Sequence, residues 1–237
     1  MRLRIAFSKH GKVRFTSHRD IARIWERALR RSGLPVAYSE GFNPRPKLSF
    51  GLALSTGHES DGEYIDVDLM AHADEIDLDT LAAQLSAHLP VGLTATGVVV
   101  GDRRMPSLQQ AVNSCTWQID VRDADPAAVQ ESIDRLLARD EVMVTRERKG
   151  KEITDDLRPA VLALAVEKPI EDGVRLIAEL GTQPRAARVA EVLSALDPPL
   201  AEHKVLRLHQ WIHTDDGRRI DPMRVTAPSS APAEATV

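Results

Sequence analysis

"CTWQIDVRDADPAAVQESIDRLLARDEVMVTRE" (residues 115–147) changes its hydrophobic period twice, and those changes decide the fold. From Cys115 to Val121 apolar and polar residues alternate, which puts Cys115, Trp117, Ile119 and Val121 on one face of a strand. Asp125 then caps a helix over 125–140 with Pro126 at its first position, where the missing N–H costs nothing. Residues 141–147 return to strand. Downstream, 159–167 and 173–180 read as a hairpin around Pro169 to Asp172, 183–197 as a helix stopped by Pro198-Pro199, and 204–212 as a final strand.

The first half runs in the same order. "RLRIAF" (2–7) is a strand, and "KVRF" (12–15) is expected to form a short hairpin with it through His10-Gly11. Ser17 and Asp20 resemble a capping box, after which Ile21, Ile24, Trp25, Ala28 and Leu29 share one helical face. "PVAYSE" (35–40) and "KLSFGLALS" (47–55) read as strands. "EYIDVDL" (63–69) alternates, with Ile65, Val67 and Leu69 opposite Tyr64, Asp66 and Asp68. A helix over 77–89 and a strand over 92–100 complete the half. Both halves approximate strand-helix-strand-strand-helix-strand, the split βαβ pattern. The expected fold is therefore α+β, with tandem ferredoxin-like domains whose antiparallel sheets carry helices on one face. The expected boundaries are 1–100 and 115–224, a linker over 101–114 and a disordered Ser/Pro/Ala-rich tail over 225–237.

The chain has 237 residues, 43% of them hydrophobic, enough for substantial cores. Its opening residues lack a signal-peptide pattern and no uncharged apolar stretch would span a bilayer, so a cytoplasmic location is expected. Cys115 is the single cysteine, which excludes an intrachain disulfide and a cysteine-rich metal or iron–sulfur site made by this chain alone. The net charge of −4 conceals an asymmetry. Residues 1–50 carry 12 Lys/Arg against 3 Asp/Glu, whereas 51–100 carry none against 9. An anionic partner responds to that local field rather than to the sum.

The basic residues are concentrated in two places. With Ile21 at zero and about 100° per residue, Arg19, Arg30, Arg23 and Arg27 fall at roughly 160° to 240°, opposite the apolar face. Arg31 ends the same helix, and the face, which also carries Glu26, reads either as ordinary solvated surface or as an anion contact. The loop "SEGFNPRPKLSFG" (39–51) adds Phe42, Asn43, Arg45 and Lys47 between Gly41 and Gly51, stiffened by Pro44 and Pro46. Guanidinium forks pair with phosphate, and basic stripes with exposed aromatics track single-stranded nucleic acid. Two readings of the loop stand side by side: a turn with Phe42 and Phe50 as core anchors, or a rigid platform for RNA or a partner protein. No catalytic residue is expected; of the eight histidines, His18 in the first turn of the arginine helix reads as a first-turn polar residue, or as the general acid or base if the chain is an enzyme in its own right. Asp66 and Asp68 read as a solvated strand face or as salt-bridge partners of that helix, and no metal site is expected. "RERKGKEITDD" (146–156) reads as a solvated loop and a possible second anion contact. There is no phosphate-binding glycine loop, dinucleotide fingerprint, nucleophile elbow or zinc motif.

"FTSHRDIARIWERALRRSGLPVAYSEGFNPRPKLSFGLALSTGHES" (15–60) resembles the signature of the radical-SAM-associated protein family, and the order of elements is similar through about residue 212. Members of that family are fused to, or encoded beside, a B12-binding-type radical SAM protein. The resemblance implies that this chain is the stand-alone form and that its partner is a radical SAM protein holding the iron–sulfur cluster and S-adenosylmethionine, with no cofactor in this chain. At the level of fold alone, paired ferredoxin-like domains also resemble the repeat-associated RNA-processing proteins of CRISPR systems. The expected function is a non-catalytic accessory subunit that presents tRNA or rRNA for modification. The alternatives are an RNA-processing or RNA-modifying enzyme in its own right and a pure protein-interaction module.

Overall fold

Strand β1 (Arg2–Lys9) sorts its side chains by parity, burying Leu3, Ile5 and Phe7 on one face and turning Arg2 and Arg4 to the other. A computed structural model describes residues 1–70, 76–101, 106–148, 150–214 and 216–224. The tail expected over 225–237 and residues 102–105 of the expected linker lie outside the described residues. After β1 come α1 (His18–Arg31), β2 (Leu48–Phe50), β3 (Glu59–Asp68), α2 (Leu78–Ser86) and β4 (Leu93–Gly101). β1 pairs antiparallel with β3 and β4, and β2 pairs with the far edge of β3. Ile21, Trp25 and Leu29 of α1 and Leu81 and Leu85 of α2 close over Leu3, Ile5, Phe7, Ile65 and Val67. Each such side chain contributes about 1.5–3 kcal/mol when fully buried.

The N-terminus of α1 forms as its sequence requires. Ser17 Oγ accepts the Asp20 N–H at 3.2 Å and donates to the Asp20 carboxylate at 2.7 Å. That hydrogen bond, followed by Arg23, holds the Asp20 carboxyl below the usual carboxylate range.

The second half contains α3 (Leu108–Ala111), β5 (Ser114–Arg122), α4 (Pro126–Leu137), β6 (Met143–Arg148), β7 (Lys151–Asp156), β8 (Val161–Ile170), β9 (Gly173–Gly181), α5 (Val189–Ser194), β10 (Lys204–His213) and β11 (Arg219–Ile220). Val129, Ile133 and Leu136 of α4 and Val192 and Leu193 of α5 share a second core with Trp117, Ile119, Val121, Leu176 and Val205. Nine strands form one sheet with the path β4-β1-β3-β10-β5-β9-β8, to which β2 and β11 attach at β3 and β10. The protein is thus mixed α+β, with a large, mostly antiparallel sheet and few helices.

Four local expectations need correction. Residues 12–15 are not a strand. Gly11–Phe15 makes a 3₁₀ turn, because the Gly11 N–H goes to the Glu59 carboxylate at 2.8 Å and the His10 N–H goes to Gly92 O. "RERKGKEITDD" is not a loop, since β6 and β7 pair antiparallel from Met143↔Asp156 to Arg148↔Lys151. The helix expected over 183–197 shortens to Val189–Ser194. Pro184 has no N–H to offer, Thr182 and Ala187 donate to Asn113 O and Gly181 O, and Arg185 is held by Asp155 and Glu191. The strand expected over 35–40 does not form, and only Val36 and Tyr38 make isolated bridges, to Leu69 and Pro46. The final strand, β10, belongs to the common sheet. It runs antiparallel to β5 and parallel to β3 at Leu206↔Glu59 and Arg207↔Ser60, which joins the two halves.

Candidate functional site

The arginine face of α1 follows from its periodicity. Ile21, Trp25, Ala28 and Leu29 are buried, so Arg19, Arg23, Arg27, Arg30 and Arg31 are exposed. Arg23 pairs with Asp20 at 3.1 Å, and Arg27 Nε donates to the Arg23 carbonyl at 3.2 Å. Among the described residues, no carboxylate forms an ion pair with Arg19, Arg27, Arg30 or Arg31. The helix therefore presents guanidinium groups to solvent with little internal neutralisation.

The loop after α1 is pinned at its base. Val36 bridges Leu69 and Tyr38 bridges Pro46, while Lys47 N–H donates to Ala37 O at 2.8 Å and Ser39 N–H to Arg45 O at 2.8 Å. Ser39 Oγ accepts the Arg45 N–H at 3.0 Å. Phe42 at the tip is fully exposed, and Asn43, Arg45 and Lys47 are exposed beside it. Phe42 is therefore no core anchor. Phe50 is half-buried against the first core, with its ring edge to His18 at 5.2 Å. His18 is exposed and makes no hydrogen bond to an acid among the described residues.

The acidic face of β3 meets β1 rather than α1. Arg4 forks onto Asp66 at 2.7 and 2.9 Å in a buried pair, and Arg2 Nε meets Asp68 at 2.8 Å, each opposite its partner in register. Strand pairing decides this, because directly opposed residues on one face are the nearest neighbours a side chain has.

A second concave region was not legible as a site in the sequence. A cleft of about 630 Å³ lies where the halves meet, walled by Leu52–Thr56, His58, Trp117 of β5, Arg207 of β10, Thr182 and Arg185–Glu191. Arg207 is buried, with Nε 3.0 Å from Glu63 Oε1, Nη2 donating to Leu52 O at 2.9 Å, and its guanidinium over the Trp117 ring at 5.4 Å. His58, also buried, has Nε2 2.9 Å from Glu202 Oε1 and its ring edge to Trp117 at 5.9 Å. Arg185 is held by Asp155 at 3.0 Å and Glu191 at 2.7 Å. Cys115 lines the cleft too, but burial pushes its thiol up to about 11, which keeps it protonated and poorly nucleophilic. These side chains come from positions 58, 115, 117, 185, 202 and 207, and apart from Cys115 and Trp117 on one strand face no local spacing connects them. A buried histidine with an acid partner was the one available signal, and Glu202 is too far from His58 in sequence to reveal it.

Among the described residues, no helix is long and apolar enough to cross a membrane. No curated protein matches the chain. The solved structures that resemble it include a chain of a Cbf5-Nop10-Gar1 complex, at 10% identity and a TM-score of 0.44, over 88% of this chain and 48% of that one. This protein thus spans about half the length of that relative. A family model described as an uncharacterized protein conserved in bacteria (DUF2344) matches residues 2–189, which is most of the sequence, and the chain belongs to that family.

Proposed function

We propose that the chain is a non-catalytic accessory subunit that binds RNA, tRNA or rRNA, and presents it to a radical SAM enzyme. The observation that carries this reading is the row of exposed arginines on α1, four of them without an acid partner among the described residues. The pinned hairpin supports it by holding Phe42, Arg45 and Lys47 in solvent on a backbone already ordered, so little entropy is lost on binding. Strand order supports a finer fold reading: β4-β1-β3-β2 in the first half and β10-β5-β9-β8 in the second each follow the order of a split βαβ unit, as in tandem ferredoxin-like domains. The radical SAM partner rests on the family resemblance of residues 15–60, and with one buried cysteine here the iron–sulfur cluster and S-adenosylmethionine belong to that partner.

RNA binding is measured by fluorescence anisotropy across a salt series, with the double variant Arg23→Glu/Arg27→Glu. The variant is expected to weaken binding across RNA sequences and to flatten the salt slope by about one per lost phosphate contact. Unchanged affinity and slope would remove α1 from the interface. Purification from the native cell, with and without nuclease, tests the partner, and absence of a radical SAM protein from both samples counts against the accessory role.

A further inference from the structure

We propose that the cleft between the halves is a binding site for a small molecule bearing a phosphoryl or carboxylate group, separate from the arginine face of α1. Among the described residues, five buried side-chain nitrogen or oxygen atoms have no hydrogen-bond partner, and three of them, His58 Nδ1, Trp117 Nε1 and Arg185 Nη2, belong to residues lining this one cleft. A buried polar atom left unpaired costs about 1–3 kcal/mol, so three around one cavity point to a partner that enters it. Its volume falls in the range of cavities that hold small ligands.

The chemistry of the orphaned atoms selects the ligand. An indole N–H and a guanidinium N–H can only donate. His58 commits Nε2 to Glu202, which leaves Nδ1 to accept when the ring is neutral and to donate when it is charged. Arg188 lines the cleft and is exposed, adding a further cation. Trp117 Nε1 and Arg185 Nη2 therefore lack acceptors, as does His58 Nδ1 when the ring is charged, and oxyanion oxygens supply several at once. Glu191 and Glu202 also line the cleft, but they are engaged by Arg185 and His58, and Arg207 is engaged by Glu63. Those pairs hold the walls in place before a ligand arrives. Glu147, exposed, disfavours ligands of high negative charge, which favours a molecule with a single oxyanion group.

Calorimetric titration of the full chain with inorganic phosphate, uridine monophosphate and butyrate tests the proposal. Saturable binding of at least one probe is expected, weakened about tenfold by Trp117→Phe, which removes one donor and keeps the ring. Arg188→Ala, at an exposed position, is expected to weaken it as well and keeps the test decisive if Trp117→Phe fails to fold. Arg23→Glu/Arg27→Glu is expected to leave it unchanged, so loss of RNA binding and loss of cleft binding are separable results. Displacement of uridine monophosphate by RNA would identify the oxyanion as an RNA phosphate, and retention would identify a free small molecule. No saturable binding of any probe, or equal binding by the wild type and a folded variant of either Trp117 or Arg188, would overturn the site and leave the cleft to water.

Discussion

Replacing Arg207 by Met tests how the two halves are held together. Arg207 sits on β10, the strand shared between them, with its side chain 1% exposed and that of its partner Glu63 10% exposed. At an effective dielectric near 20, opposite charges about 4 Å apart attract by about 4 kcal/mol, which offsets desolvation only while both partners remain. Arg207→Met leaves the Glu63 carboxylate buried without its main counterion and removes the donor to Leu52 O. Stranding a buried charge costs about 3–5 kcal/mol. Lys9 is buried nearby and attracted by Glu63, while its own ammonium is destabilised by burial, so it softens the loss toward the lower end of that range. The expected loss is about 3 kcal/mol, a large fraction of an ordinary stability of about 5–15 kcal/mol. Denaturant unfolding of Arg207→Met, Glu63→Gln and the double variant gives a coupling energy. Neutralising Glu63 in the Arg207→Met background is expected to restore about 1–2 kcal/mol. A loss below about 1 kcal/mol in the single variant, or strictly additive losses, would refute the account.

Phe42→Ala is expected to change stability by no more than about 0.5 kcal/mol, since the ring is fully exposed, yet to weaken RNA binding by about 1–3 kcal/mol if it stacks on a base; equal RNA affinity would dismiss the ring as a contact. Glu59 gives a pH signature. Burial alone would raise its carboxyl, but the Gly11 N–H at 2.8 Å and Lys204 at 3.0 Å outweigh that and depress it. The resulting stability is complete above the unfolded-state value of 4.5 and is lost as pH falls through the lower folded value. Glu59→Gln should therefore flatten the fall in stability between about pH 5 and pH 3, and an unaltered slope in urea unfolding would show that these contacts carry no linkage.

Local chemistry was legible in the sequence because its causes are local. Ser17 and Asp125 cap their helices through neighbours three residues on, and the parities of β1, β3 and β5 separate their faces without reference to any other strand. The arginine face of α1 follows from the same periodicity, and so does its exposure. Where the sequence misled, a distant group had taken the backbone donors or the charge. Glu59 and Gly92 turned 11–15 away from a hairpin, Asp155 and Gly181 helped keep 183–188 out of a helix, and Arg2 and Arg4 rather than α1 met the acids of β3. By itself, then, the sequence determined most of the elements, their order in the two halves and the basic face. Only the tertiary structure decided that β10 inserts between β3 and β5, and so brought His58, Trp117, Arg185 and Arg207 around one cleft. Strand neighbours and cleft walls are chosen by burial and pairing between residues far apart in the chain, and periodicity carries no record of which distant edge a strand will meet.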